Sequence, residues 1–487
     1  MRNLKMLVPT LLGAALSACM VGPDHIRPVV STPAAFGTQL APATQDSVKS
    51  AEPAVAEFWN SFGDPQLSRL IELALVANHD LRIALANVDR AEALLGGAKF
   101  DALPVVSADA EARDARASAD QLPRVGRADR DGKSYRSGIN ASWELDLFGR
   151  VRRTIEAQRA ETAANTADLA ATQVVVVGEV ARSYADLRGL QERLRVAREN
   201  ADNQRDTLHL VDVRFEAGRG TEFDTSRARA QLESTRSRIP ALEAAIAVDL
   251  HRLAVLTGQT PDALVEEFGR ARALPTLPAT IDEGTPGDLL RRRPDIASAE
   301  QRLHAATARI GIATADLFPR FTLGGLLGTQ AIDSSALFER DSETRFVALG
   351  VDWSFLDIGH VRARIAASDA SARGELARYE QTVLHALEET ENALTRYVHA
   401  LAEDEHLGRA ADDSTRAASL ARTRFDAGAT DLFEVLDAER TRLQAQDALA
   451  VARTQSVTRA IDVYTALAGG WPTQLPAREG IAGRNKG

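Results

Sequence analysis

Few side chains in this 487-residue chain are spaced for chemistry. Glu403 and His406 stand at i and i+3 with His399 just upstream, the local form of a carboxylate–histidine pair. A di-iron helical bundle needs a second such pair and two further carboxylates, and no other Glu-x-x-His occurs. Residues 399–406 therefore read as a solvated helix face. Cys19 is the single cysteine, which excludes a disulfide framework and a thiolate metal cluster. No G-x-x-x-x-G-K-[ST], G-x-G-x-x-G or G-x-S-x-G is present, so neither a phosphate cradle nor a nucleophile elbow is in view. The expectation is a chain that is not an enzyme and carries no cofactor and no metal. What remains is electrostatic. Glu434, Asp437 and Arg440 recur at i, i+3 and i+6 along one broad helix flank. Carboxylates crowded in a constriction raise one another's pKa and attract cations, and Arg440 would offset part of that. Glu434 has a plainer reading as well, as N3 of a capping box with Asp431, matched by Thr221 and Asp224 earlier in the chain.

The elements that must hold this flank are read from composition first. Acidic residues number 68 against 58 basic, a formal charge of −10, which argues against a nucleic-acid partner. Proline is absent from 124–239 and from 320–471. Proline-free blocks of that length predict long helices. At the N-terminus, Arg2 and Lys5 precede a short apolar run from Met6 to Leu16. The run is about half the roughly 20 residues of a membrane-spanning helix. It ends Leu16-Ser17-Ala18-Cys19 and resembles a bacterial lipobox, with cleavage before Cys19 and a diacylglycerol on its thiol. Met20 in the next position resembles the outer-membrane sorting class. We therefore expect a signal peptide over 1–18 and a lipidated N-terminus and extended linker over 19–56. No later stretch reaches 18 consecutive apolar residues, so any membrane crossing falls to strands.

The chain is written twice. Asp80-Leu81 matches Asp295-Ile296, and Leu103-Pro104 matches Phe318-Pro319. Trp143 and Gly149 match Trp353 and Gly359, and Arg214 to Gly218 matches Arg424 to Gly428. Leu256-Thr257-Gly258 then matches Leu467-Ala468-Gly469. A period this long signals duplication of a whole motif rather than a solenoid. Each repeat (57–258, then 294–471) predicts a helix over 78–101 or 294–317, halted before Pro104 or Pro319. Two strands follow, at about 105–112 and 135–146, then at about 321–328 and 346–355. A long helix comes next, over 151–216 or 361–426, ended by Gly218 or Gly428 at C′. A returning helix covers 221–257 or 431–467, with a bend expected at Pro240 and none at Ala450. Residues 259–293 join the repeats, and 472–487 form a tail. A helix of about 66 residues reaches about 100 Å, a length suited to bridging two distant places.

The strands supply one of those places. Ile139, Ala141, Trp143 and Leu145 fall on one face of 135–146, with Arg136, Asn140, Glu144 and Asp146 opposite. Val347, Leu349, Val351, Trp353 and Phe355 repeat the pattern in the second half. Such alternation fits a tilted strand between lipid and a wet lumen, with the charged loops 113–134 and 329–345 outside. Four strands cannot close a membrane barrel, which needs about eight, so copies must share one.

Carried by these residues, the chain resembles the outer-membrane factor family of TolC/OprM-type channels. Within it the closest branch is the NodT-like lipoproteins of resistance-nodulation-division (RND) tripartite efflux systems. The specific segments are Cys19 with Val21-Gly22-Pro23-Asp24 and Arg27-Pro28, Trp143 to Arg150, Leu289 to Ile296, and Ala466 to Trp471. The resemblance implies a mainly α protein with a membrane β-barrel: a homotrimer with a 12-stranded barrel in outer-membrane lipid and a 12-helix periplasmic tunnel. A mixed girdle would draw on 57–76, 259–293 and the C-terminal end. It implies a passive exit duct for drugs or other toxic solutes, docked to a periplasmic adaptor (membrane fusion) protein and an inner-membrane RND pump. By the same resemblance Asp437, Glu434, Arg440 and Asp224 are the periplasmic gate. Arg214, Phe215, Gly218, Arg424, Phe425 and Gly428 are adaptor-contact tips. Family members of the TolC branch carry a tyrosine where Phe425 stands, so a latch here must differ in detail. The alternatives are an exit channel for type I protein secretion, or a coiled-coil structural lipoprotein with no pore.

Overall fold

The computed structural model describes residues 20–38, 40 and 58–468. The signal segment, Cys19, Gln39, residues 41–57, Gly469 to Trp471 and the 472–487 tail lie outside the described residues. Helix α1 spans Pro65–Ala77 and α2 spans His79–Phe100. Strands β1 (Val105–Arg116) and β2 (Asp131–Leu145) follow, then the long helix α3 (Arg150–Glu216). The return is made by α4 (Glu222–Arg236) and α5 (Arg238–Leu256). Two short helices, α6 (Val265–Phe268) and α7 (Pro286–Arg292), lie in the connecting segment. The second repeat gives α8 (Pro294–Ala315), β3 (Arg320–Ala331), β4 (Glu343–Asp352), α9 (Ile358–Asp426) and α10 (Leu432–Ala466).

Local chemistry explains the boundaries. Asp64 caps α1 by accepting from the Gln66 amide at 2.8 Å, with Pro65 in the first turn. The long helices end in matching turns. The Arg219 amide donates to the Arg214 carbonyl and the Ala429 amide to the Arg424 carbonyl, each at 2.8 Å. Gly218 and Gly428 sit at φ +69° and +72°, a conformation that glycine adopts without penalty. The returning helix breaks at Ser237 in the first repeat and is continuous in the second. Pro240 accounts for this: its nitrogen has no hydrogen to donate to the Arg236 carbonyl one turn back.

Two expectations are corrected. The last strand ends at Asp352, so Trp353 and Phe355 lie beyond it. Trp353 turns to donate its indole N–H to the Leu317 carbonyl at 3.1 Å, as Trp143 does to the Ala102 carbonyl at 3.0 Å. The remaining strands run longer than expected, because pairing continues into the polar loop residues, as far as Arg116 with Asp131. Residues 20–38, the described part of the expected linker, make contacts of their own. Val21 donates to the Phe148 carbonyl, and Phe36 is buried.

The chain divides into two compact units that cut across the repeats. The first takes the N-terminal residues through Val29 with 87–166 and 298–380, and holds the sheet. The second takes 30–86, 167–297 and residues from 381 on. Its core stacks Phe58 on Tyr464 and buries Arg188, which donates to Gln66 and to the Arg270 carbonyl.

Candidate functional site

In the first unit the four strands form one antiparallel sheet in the order β1-β2-β3-β4. Register then decides which residues share a face. Trp143 pairs with Leu323 and Leu323 with Leu349, while Ala141, Gly325 and Val347 form the next row. Val106 joins that row from β1. Leu145, Phe321 and Val351 make a third. This face is apolar and open: Val347 is 81% exposed and Leu349 60%. On the other face Asp109 accepts from Asn140, and Arg136 bonds Glu111 at 3.1 Å. Its second-half strands contribute Thr322, Gly324, Gly328 and Gly350, with Leu326 and Phe346 as apolar exceptions. One wet face and one bare apolar face suit a sheet standing between water and lipid. Strands β1 and β4 each have one free edge within the chain, and such an edge demands a partner in a membrane.

The second unit carries the two glycine turns. Val211, Phe425, Leu432, Val435 and Leu436 form their apolar core. Phe425 is therefore a packing residue and not a contact surface, a correction of its expected place at the tip. It meets the Arg214 guanidinium 4.0 Å above its ring, a cation–π contact. Arg424 reaches Glu434 at 3.8 Å. Phe215 is 45% exposed, and Gly218 and Gly428 have open space around them.

The four gate residues separate. Asp437 and Arg440 form an ion pair at 2.5 Å on an exposed flank of α10. Glu434 is exposed, and its amide donates to Asp431 at 3.1 Å; the reciprocal half of a capping box is not made. Asp224 is committed to a complete box with Thr221, accepting from that residue's amide at 3.0 Å and hydroxyl at 2.7 Å. Its carboxylate thus caps the start of α4, whereas Asp437 and Glu434 make no such reciprocal bond. Sequence reasoning missed Phe223, 70% exposed, and Phe433, 52% exposed with Arg227 stacked 4.2 Å above its ring. The signal was available: each follows a turn glycine within five residues, in the first helical turn. Glu403 and His406 are exposed on α9, and no group of His, Cys, Asp and Glu among the described residues is placed to hold a metal.

Known proteins fit this geometry. The family model described as outer membrane efflux protein matches residues 70–259 and 285–469. The chain is 29% identical to nodulation protein T of Rhizobium leguminosarum bv. trifolii, over 89% of this chain and 91% of that one. It is 30% identical to outer membrane protein OprJ of Pseudomonas aeruginosa, over 95% of each. Among solved structures, the outer-membrane channel OprN superposes with a TM-score of 0.85 at 38% identity, covering 93% of this chain and 100% of the other.

Proposed function

The chain belongs to the outer membrane efflux protein family, an outer-membrane channel component of efflux, and we propose that three copies close its sheet into a 12-stranded barrel. The observation that carries this reading is the sheet itself: two unpaired edges, one face apolar and exposed, the other holding ion pairs. Lipid accepts the first face and a water-filled lumen the second. Closure of all edges removes an expense of several kcal/mol per stranded backbone group. The helices α3, α9 and those returning from the glycine turns would form a 12-helix periplasmic tunnel. The duct performs no chemistry. A periplasmic adaptor would engage the turns through Arg214, Phe215, Arg424 and the exposed Phe223 and Phe433, and an RND pump in the inner membrane would load the solute. Cys19 would carry the lipid. Its neighbour Met20 packs against Gly149 where β2 meets α3, so the anchor would be held at the base of the barrel.

At the entrance, Asp437 and Arg440 of three chains would ring the opening, with Glu434 one turn below. An exposed pair contributes about 0.2–1 kcal/mol. Three acting together shift opening by a few-fold to roughly a hundredfold. Purified full-length protein in planar bilayers should show discrete channels. Asp437→Ala and Arg440→Ala should raise closed-state conductance several-fold. Well-folded trimers without channels would restore the coiled-coil lipoprotein alternative, and unchanged closed-state conductance in both variants would remove the gate assignment.

A further inference from the structure

Beneath the exposed Asp437–Arg440 pair lies a buried polar layer that the channel reading does not use. Glu439 projects inward from α10 and is 6% exposed. Its Oε1 accepts from the Thr207 hydroxyl of α3 at 3.3 Å and lies 3.9 Å from the Arg422 guanidinium of α9. Arg422 spends its shorter bond on Thr207, at 2.8 Å. Oε2 of Glu439 has no partner among the described residues. Around it, both polar atoms of Gln204 and the Nε of Arg442 are buried and unpartnered as well. Arg442 reaches Asn200 at 2.9 Å, and Asn200 donates to Gln446 at 3.1 Å. Three long helices thus meet through a polar layer that is only partly satisfied. Apolar residues flank it on α10: Val435 and Leu436 one turn before, Leu443 one turn after. Buried polar groups are almost always bonded, so an incompletely satisfied carboxyl in this layer holds the three helices together less firmly than a fully bonded one would.

We propose that Glu439 is a positioning residue: as the neutral acid it seats α10 against α3 and α9, and its ionisation loosens that seat and frees the flank bearing Asp437 and Arg440. The inference rests on the gate reading above. The charged groups facing Glu439 are Arg442 of its own helix and Arg422 of α9, which is itself shared with Asp426 at 3.7 Å. From α3 the neutral Thr207 faces it. Burial pushes the Glu439 carboxyl up, and Arg442, Arg422 and the Thr207 bond draw it down by less. A carboxyl raised in the packed state keeps its proton where a solvated one has lost it. Acid therefore favours the seated helix, and rising pH through the raised value unseats it.

The test uses the full-length protein, with hydrogen exchange read over residues 432–446 and closed-state conductance read in planar bilayers. Between about pH 5 and pH 8, protection corrected for intrinsic exchange should fall, and conductance should rise, by about threefold or more in the wild type. Glu439→Gln, which keeps the shape and fixes the neutral form, should hold both at the low-pH wild-type level across the range. A wild type flat in corrected exchange overturns the proposal, as does a Glu439→Gln variant that keeps the wild-type pH response. If the variant abolishes the exchange response while conductance is the same in wild type, Glu439→Gln and Asp437→Ala, the seat stands and the gate reading falls.

Discussion

Leu349→Arg is expected to abolish assembly in the outer membrane. Leu349 lies mid-strand in β4 on the apolar face, opposite Leu323, with Trp143 beyond it. It is 60% exposed within the chain, so the substitution meets no steric obstacle and tests the surroundings alone. An arginine facing lipid near the midplane costs about 2–4 kcal/mol per copy. In the proposed trimer three copies would share one barrel, so the expense would be counted three times. Trimer recovered from the outer-membrane fraction should fall at least about tenfold, since 1.4 kcal/mol already gives that factor. The control is Thr322→Lys, its neighbour in β3 on the opposite face, paired with Gly350. A lysine there points into the lumen, so assembly should be normal and cation preference reduced. Equal assembly of the two variants would mean that the faces have been assigned wrongly.

Much of this was legible from the chain because it rests on local rules. Long proline-free segments leave room for helices of that length, and Gly218 and Gly428 supply a backbone conformation that turns them round. Alternation on β2 marked its apolar face before any register was known, and the duplication carried that reading to β4. Positions set by distant residues were less visible. Trp353 continues the alternation in sequence, yet its indole is claimed by the Leu317 carbonyl, and the strand stops one residue earlier. Phe425 looked like its repeat partner Phe215, but the two sides of the turn are unequal and only one ring is covered. Asp224 had two chemically sound uses, and of these the structure makes the cap visible, because Thr221 completes the reciprocal bond. Glu439 did leave a trace: it occupies the stripe of Val435, Leu436 and Leu443, where a carboxylate does not belong. Most hidden was the use of Arg153. A basic residue in the first turn of a helix opposes the helix dipole, and only contacts more than 120 residues away explain it.

Those contacts lead to the second large effect: Arg153→Ala should release the N-terminal segment that follows Cys19. Arg153 is 1% exposed. Its Nε donates to the Val21 carbonyl and Nη2 to the Gly22 carbonyl, each at 3.2 Å. Nη2 also bonds Asp24, and Nη1 bonds Glu156, both at 2.8 Å. Two glycines make the room. A Cβ on Gly22, at φ +91°, would stand 2.4 Å from the Gly311 Cα, and one on Gly311 would stand 2.8 Å from the Arg153 Nε. Glu156 passes the restraint on to His304 at 3.0 Å, whose ring stacks on His25 at 4.5 Å. Removing one partner of a buried ion pair costs about 3–5 kcal/mol. The lower end applies because Asp24 is largely exposed. Three kcal/mol is roughly a hundredfold in the open fraction, and proteolysis tracks that fraction when opening is fast. A nonspecific protease should therefore cut residues 20–30 about a hundredfold faster in Arg153→Ala. Arg153→Lys should fall between, since an ammonium cannot fork to four acceptors. The segment should also loosen in acid. Burial, helped by His304, pushes the His25 ring below its ordinary 6.5. Above that value it adds no pH dependence; below it, the released ring takes a proton that the packed ring refuses. Burial pushes the Glu156 carboxyl up, but the bonds from His304 and Arg153 outweigh it and hold the group below its usual range. Its contribution is present at neutral pH and is lost as pH falls through that depressed value. Cleavage in the wild type should accordingly rise from about pH 6.5 downward, and in Arg153→Ala the carboxylate part of that rise should be reduced. Wild-type cleavage rates in Arg153→Ala would show that the N-terminal segment is held by something else.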